Sequence, residues 1–103
     1  MSPPTPRLLI RKAARADLAE AFRWYEQRRV GLGHEFMRVA RVTLAEVARA
    51  PEQFPVAVDD IRRVPLRHFP YMVYYVVLAS HVAVIAVMHG VGIRGVGNRV
   101  AEV

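Results

Sequence analysis

Two apolar segments, Tyr71 to Leu78 and Val82 to Met88, lie either side of a polar Ala79-Ser80-His81 break within Arg62 to His89, RRVPLRHFPYMVYYVVLASHVAVIAVMH. Short runs rich in Val, Ile and Tyr around such a break predict a β-hairpin. Neither run alternates apolar with polar residues, so both strands need cover on both faces. The remaining residues must supply that cover or leave it to a partner.

Ahead of the hairpin, Arg7 to Lys12 (RLLIRK) suits an edge strand. From Ala14 to Arg29, the residues Leu18, Ala21, Phe22 and Tyr25 recur at helical spacing, with Asp17, Glu20, Arg23 and Gln27 on the other side. His34 to Ala50 is a second periodic segment, ended by Pro51 and separated from the first by Gly31-Leu32-Gly33, with Gly31 suited to the left-handed residue that ends a helix. So short a connection makes the two helices an antiparallel αα-hairpin. Trp24, Tyr25 and Phe36 read as core between helices and sheet. Glu52 to Asp60 reads as a loop. Ile61 to Arg67 reads as a strand that Pro65 places at an edge or a bulge. The fold expected is α+β, in the order β-α-α-β-β-β, with a helical hairpin packed on a small, mainly antiparallel sheet.

With 103 residues, the chain is expected to form a single domain, with a flexible Pro-rich start at 1–6 and a mobile or irregular Gly-rich tail at 90–103. No apolar run reaches the roughly 18 residues of a membrane span. Met1 to Pro6 has no apolar core of the secretion-signal kind, which makes cytoplasmic the expected location. The absence of cysteine excludes disulfides, thiolate nucleophiles and sulfur-based zinc sites, and no paired metal-ligand spacing is present, so neither metal nor cofactor is expected. His34, His68 and His81 read as structural. Gly90 to Gly95 has GxGxxG-like spacing without the following helix and strand that a dinucleotide site needs. The net charge is +6, and Lys12 is the only lysine among fifteen basic residues. That charge favours acidic partners, nucleic acid or protein.

Two helices cover one sheet face, and no third long helix is predicted for the other. On the third strand Tyr71, Val73, Tyr75 and Val77 oppose Met72, Tyr74, Val76 and Leu78, and on the last strand His81, Ala83, Ile85 and Val87 oppose Val82, Val84, Ala86 and Met88. The uncovered row is expected to seek a partner, and the isolated protein to self-associate.

The residues Ala14, Asp17-Leu18, Trp24-Tyr25-Glu26, Gly31-Leu32-Gly33, Phe36, Pro51, Pro55, Arg62-Arg63, Phe69-Pro70-Tyr71, Tyr74-Tyr75 and His89, in this order, resemble the ParE/RelE superfamily of type II toxin–antitoxin toxins. The resemblance covers Arg11 to Arg99. It implies a growth-inhibiting plasmid-stabilisation toxin and a cognate acidic antitoxin that wraps it, for which Met72, Tyr74, Val76, Val84 and Met88 are the candidate contacts. Some members of the superfamily cleave mRNA on the ribosome and others poison DNA gyrase. RNA-cleaving members commonly carry basic or aromatic groups where this chain has Met72, Gly90-Val91-Gly92 and Val96, so the resemblance is closer to the ParE-like, non-enzymatic side. Arg62, Arg63, Arg67, Arg94 and Arg99 are then the candidate contacts to a target or nucleic acid, and Arg63, His89 and Arg94 the candidate catalytic residues should the chain be a metal-independent endoribonuclease. The alternatives carried forward are a RelE-like ribosome-dependent endoribonuclease and an attenuated, non-toxic homologue that still binds an antitoxin.

Overall fold

The computed structural model describes residues 7–90 and 96–100. Its elements are β1 (Arg7–Ile10), α1 (Lys12–Arg28), α2 (Leu32–Arg49), a 3-10 turn (Pro51–Gln53), β2 (Val56–Val58), β3 (Ile61–Pro65), β4 (Tyr71–Val77), β5 (His81–His89) and α3 (Val96–Val100). The sheet order is β1-β5-β4-β3-β2, with β1 parallel to β5 and every other pair antiparallel. The expected α+β arrangement is borne out. The start at 1–6 lies outside the described residues.

Helix α1 buries Ala14, Leu18, Ala21 and Tyr25, and α2 buries Phe36, Ala40, Leu44 and Val47. Both sets repeat at three- and four-residue spacing, so each helix presents one stripe to the sheet. They meet Val73, Tyr75, Val82, Val84 and Val87 in the main core. Tyr25, Phe36, Phe69 and Tyr71 form its aromatic end, with ring centroids 5.0 to 6.0 Å apart.

The turn between the helices is fixed by three residues. Gly31 sits at φ +91°, which L side chains rarely adopt, and a Cβ at Gly33 would lie 2.6 Å from the Phe22 carbonyl oxygen. Glu26 of α1 accepts the N–H groups of Gly31 at 2.8 Å and Gly33 at 2.9 Å, donors that the start of α2 would otherwise leave without an intrahelical partner. The Gly31 bond most of all, aided by Gly33 and by His34 nearby, holds the Glu26 carboxyl below the usual carboxylate range against the opposing effect of partial burial.

The structure corrects the sequence reading in five places. Val56–Val58, expected in a loop, is the edge strand β2, joined to β3 by a turn with Asp59 at φ 48°. Strand β3 is therefore interior. The Arg63 N–H donates to the Pro55 carbonyl, so the nitrogen of Pro65, two residues on, faces the same way but beyond the end of β2, where no donor is needed. In β5 the register shifts: Tyr74 pairs with Ala86 and Tyr75 with Val84, leaving Ile85 as an extra residue. This bulge breaks the expected alternation and turns Val84 towards the helices. Trp24, expected in the core, is 48% exposed, with the Arg28 guanidinium 4.0 Å from its ring. Finally, 96–100, expected to be irregular, is helical; the remaining tail positions 91–95 and 101–103 lie outside the described residues.

Candidate functional site

The second sheet face, expected to be open, is largely closed within the chain. Ile61, Tyr74, Val76, Ala83, Ile85 and Ala86 form a second buried cluster with Val96 of α3, and Met72 and Met88 pack partly buried against it. Tyr74 and Val76, proposed from the sequence as antitoxin contacts, are 0% and 3% exposed. Met72 and Met88 remain partly accessible, and Val84 leaves the set because it lies in the helix-side core. The Tyr74 hydroxyl has no hydrogen-bond partner among the described residues although it is buried.

One ionic clasp fastens α3. Asp17 Oδ2 accepts from Arg99 Nη1 at 2.6 Å and from the Val87 N–H at 2.9 Å, while Arg99 Nη1 also donates to the Ile85 carbonyl at 3.2 Å. Strand β1 ends at Ile10, opposite Val84, so beyond it that edge of β5 has no strand partner, and the Asp17 and Arg99 side chains meet the Val87 N–H and the Ile85 carbonyl there. Arg99, a candidate target contact from the sequence, is thus engaged within the fold.

The other basic candidates do not converge. Arg62 Nη1 donates to the carbonyls of Glu52 at 3.2 Å and Phe54 at 2.6 Å, tying down the 3-10 turn beside the Tyr75 hydroxyl, which donates to the Pro51 carbonyl. Burial raises the Tyr75 pKa, partly offset by Arg62. Arg63 is exposed opposite Tyr74, on the second face. His89 pairs with Tyr71 three residues along β4, about 10 Å away, with its ring against the Tyr71 ring on the helix side. Arg63 and His89 therefore occupy different faces. Arg94 lies outside the described residues.

The widest opening lies on the helical layer. Between α1 and α2 runs a groove of about 600 Å³ floored by Leu18, Ala19, Phe22 and Met37 and rimmed by Arg15, Arg23, Arg41 and His34. A smaller concavity of about 270 Å³ lies between α2 and the β3–β4 turn, lined by Arg38, Val39, Val42, Thr43, Glu46, Arg67 and His68. A third, beside the clasp, includes Asp17, Glu20, Trp24, Tyr71 and His89. Burial, reinforced by the Glu20 and Asp17 carboxylates, raises the Tyr71 pKa there. Sequence reasoning missed the groove, although Phe22 and Met37 at the margins of the buried stripes, with arginines one turn away, carried its signal. Among the described residues, no helix is long and apolar enough to cross a membrane and no group of acidic and histidine side chains is placed to hold a metal ion.

Among solved structures, the chain is similar to a chain of the chromosomal ParDE toxin–antitoxin system from P. aeruginosa, at a TM-score of 0.75 and 15% identity, covering 82% of this chain and 96% of that one. That likeness is one of fold. No curated protein sequence matches. A family model described as the ParE toxin of the type II toxin–antitoxin system parDE matches residues 8–92, from β1 through β5 into the tail, so the chain belongs to the ParE toxin family.

Proposed function

We propose that this chain is the growth-inhibiting subunit of a two-component module, acting by binding a macromolecular target, DNA gyrase, and held silent by an acidic antitoxin. The carrying observation is the α1–α2 groove: an apolar floor with three arginines on its rim fits an amphipathic helix whose polar face is acidic. Each large apolar side chain that such a helix buries contributes roughly 1.5 to 3 kcal/mol, and the rim sets orientation and encounter rate. With Tyr74 and Val76 closed off, the groove replaces the second sheet face as the principal antitoxin surface, and Met72 and Met88 stay partly accessible on that other face as secondary contacts.

Binding rather than catalysis is favoured by the separation of the candidate catalytic residues Arg63 and His89. Metal-free RNA cleavage needs a proton acceptor, a cation for the phosphorane and an acid within reach of one phosphate. Arg62 and Arg99 are occupied by the fold, and Arg63 and His89 face opposite ways.

The test is co-expression with the protein encoded by the adjacent reading frame. The wild-type chain should arrest growth alone, and the pair should copurify and restore growth. The charge-reversed triple variant Arg15→Glu, Arg23→Glu, Arg41→Glu, shown to be folded by circular dichroism, should lose copurification and escape neutralisation. Retained binding by that variant would remove the groove from the account, and unchanged growth on expression of the wild-type chain would favour the attenuated-homologue reading.

A further inference from the structure

We infer that the concavity between α2 and the β3–β4 turn is a phosphate-binding site for a nucleic-acid strand, built from Arg38, Arg67 and His68. This goes beyond the toxin reading and holds whichever partner the α1–α2 groove takes.

The turn that carries Arg67 and His68 is anchored by its own packing. The turn from Arg67 to Pro70 is closed by the Leu66 N–H donating to the Tyr71 carbonyl at 2.9 Å. Its third residue, Phe69, is inserted among Tyr25 and Phe36, with ring centroids 5.0 and 5.3 Å away. Anchoring Phe69 inward leaves the two preceding residues outward, and His68 is held at φ 65°, a left-handed conformation uncommon for a residue with a side chain. Such backbone strain persists only where packing enforces it, and it recurs at ligand sites. Here it presents Arg67 and His68 beside Arg38 of α2 around one hollow.

The charges are also free for use. Several arginines are already engaged: Arg62 with backbone carbonyls, Arg99 with Asp17, Arg29 with Glu35 and Arg28 over Trp24. Among the described residues, Arg38 and Arg67 make neither an ion pair nor a side-chain hydrogen bond, and both are exposed. Two arginines and a histidine lining one hollow of about 270 Å³ suit one phosphate, which accepts bidentate hydrogen bonds from arginine. A helix does not fit so small a space.

The rest of the lining selects a strand over a free anion. Val42 is 55% exposed at the rim and Val39 lies beside it, apolar surface that a sugar or base can cover. Glu46 brings an acceptor to the same hollow. A nucleotide can present hydroxyl and amino donors to it while its phosphate stays on the arginines.

The experiment measures fluorescence anisotropy of a labelled twelve-nucleotide single strand and of its duplex with the purified chain across a salt series, with unlabelled inorganic phosphate as competitor. Arg38→Gln with Arg67→Gln should weaken binding about tenfold and flatten the slope of log affinity against log salt by about 0.7 to 0.9 per lost phosphate contact. Arg38→Lys with Arg67→Lys should keep most of the slope while losing affinity, since the charge stays and the fork goes. Arg7→Gln with Arg29→Gln removes the same charge away from both concavities and should leave affinity within about twofold. All substituted positions are exposed, and circular dichroism confirms folding of each variant. Equal losses from the two glutamine pairs would overturn the site in favour of a diffuse field. So would absence of strand binding at low salt, displacement by millimolar inorganic phosphate, or equally tight binding of an acidic peptide with the same dependence on Arg38 and Arg67.

Discussion

Replacing Asp17 by alanine tests the ionic clasp that holds the C-terminal helix on the sheet. The carboxylate serves both Arg99 and the Val87 N–H, and the two side chains are only 15% and 21% exposed. Removing one partner of a well-buried pair costs about 3 to 5 kcal/mol, because the other charge is left stranded. Arg99 lies near the end of a five-residue helix and can swing into water, which removes much of that penalty. The Val87 N–H cannot move, and an unsatisfied buried donor costs about 1 to 3 kcal/mol. Asp17→Ala should therefore destabilise by about 2 to 3 kcal/mol. Arg99→Ala should cost less, about 1 to 2 kcal/mol, since Asp17 keeps its bond to Val87. Urea unfolding of the two single variants and the double variant closes a thermodynamic cycle, and the two losses should be clearly less than additive. Dye binding should rise in both, as loosening α3 uncovers Tyr74, Val76 and Ile85. An Asp17→Ala variant within about 0.5 kcal/mol of wild type, or strictly additive losses, would mean that the clasp does not hold α3 on the sheet.

Three further outcomes follow from local geometry. Gly33→Ala places a methyl 2.6 Å from the Phe22 backbone oxygen and should destabilise by about 1 to 3 kcal/mol in thermal or urea unfolding. Tyr74→Phe deletes a buried hydroxyl with no partner among the described residues, and should leave stability unchanged or raise it by about 1 kcal/mol; a loss above that would reveal a hidden partner. Glu26 has its folded-state pKa depressed, so its contribution is present above the unfolded carboxylate value, about 4.3, and is lost as pH falls through the lower folded value. Unfolding curves between pH 6 and 3 should show that acid-sensitive component in wild type and a smaller one in Glu26→Gln.

How far the fold could be read depended on whether local pattern or distant contact decided each element. The β4–β5 hairpin and the α1–α2 hairpin were legible because density of β-branched residues and the repeat of Leu18, Ala21 and Tyr25 act over a few neighbours. The bulge at Ile85 was not legible, since Val82 to Met88 is apolar throughout and every register looks alike to a hydrophobic pattern. Strand β2 was hidden by Pro55 and the Asp59-Asp60 turn, which mark a loop unless pairing with Arg62 and Ile61 is known. The helix at Val96 depends on tertiary support, a buried Val96 and an ion pair between Arg99 and Asp17, eighty-two positions apart. Its neighbour Gly97 disfavours helix on its own. Of the site residues, Arg67 was legible as a contact, but Arg38 and His68 gain meaning only from the fold that sets them beside it.

The most direct measurement of the central claim is a paired assay of the purified chain, one arm scoring plasmid supercoiling and covalent cleavage by DNA gyrase, the other scoring mRNA cleavage on translating ribosomes. Lost supercoiling or accumulated gyrase-cleaved DNA is expected in the first arm, reversed by the antitoxin, and intact mRNA in the second. Undisturbed gyrase together with cut mRNA, abolished by Arg63→Ala or His89→Ala, would contradict that claim.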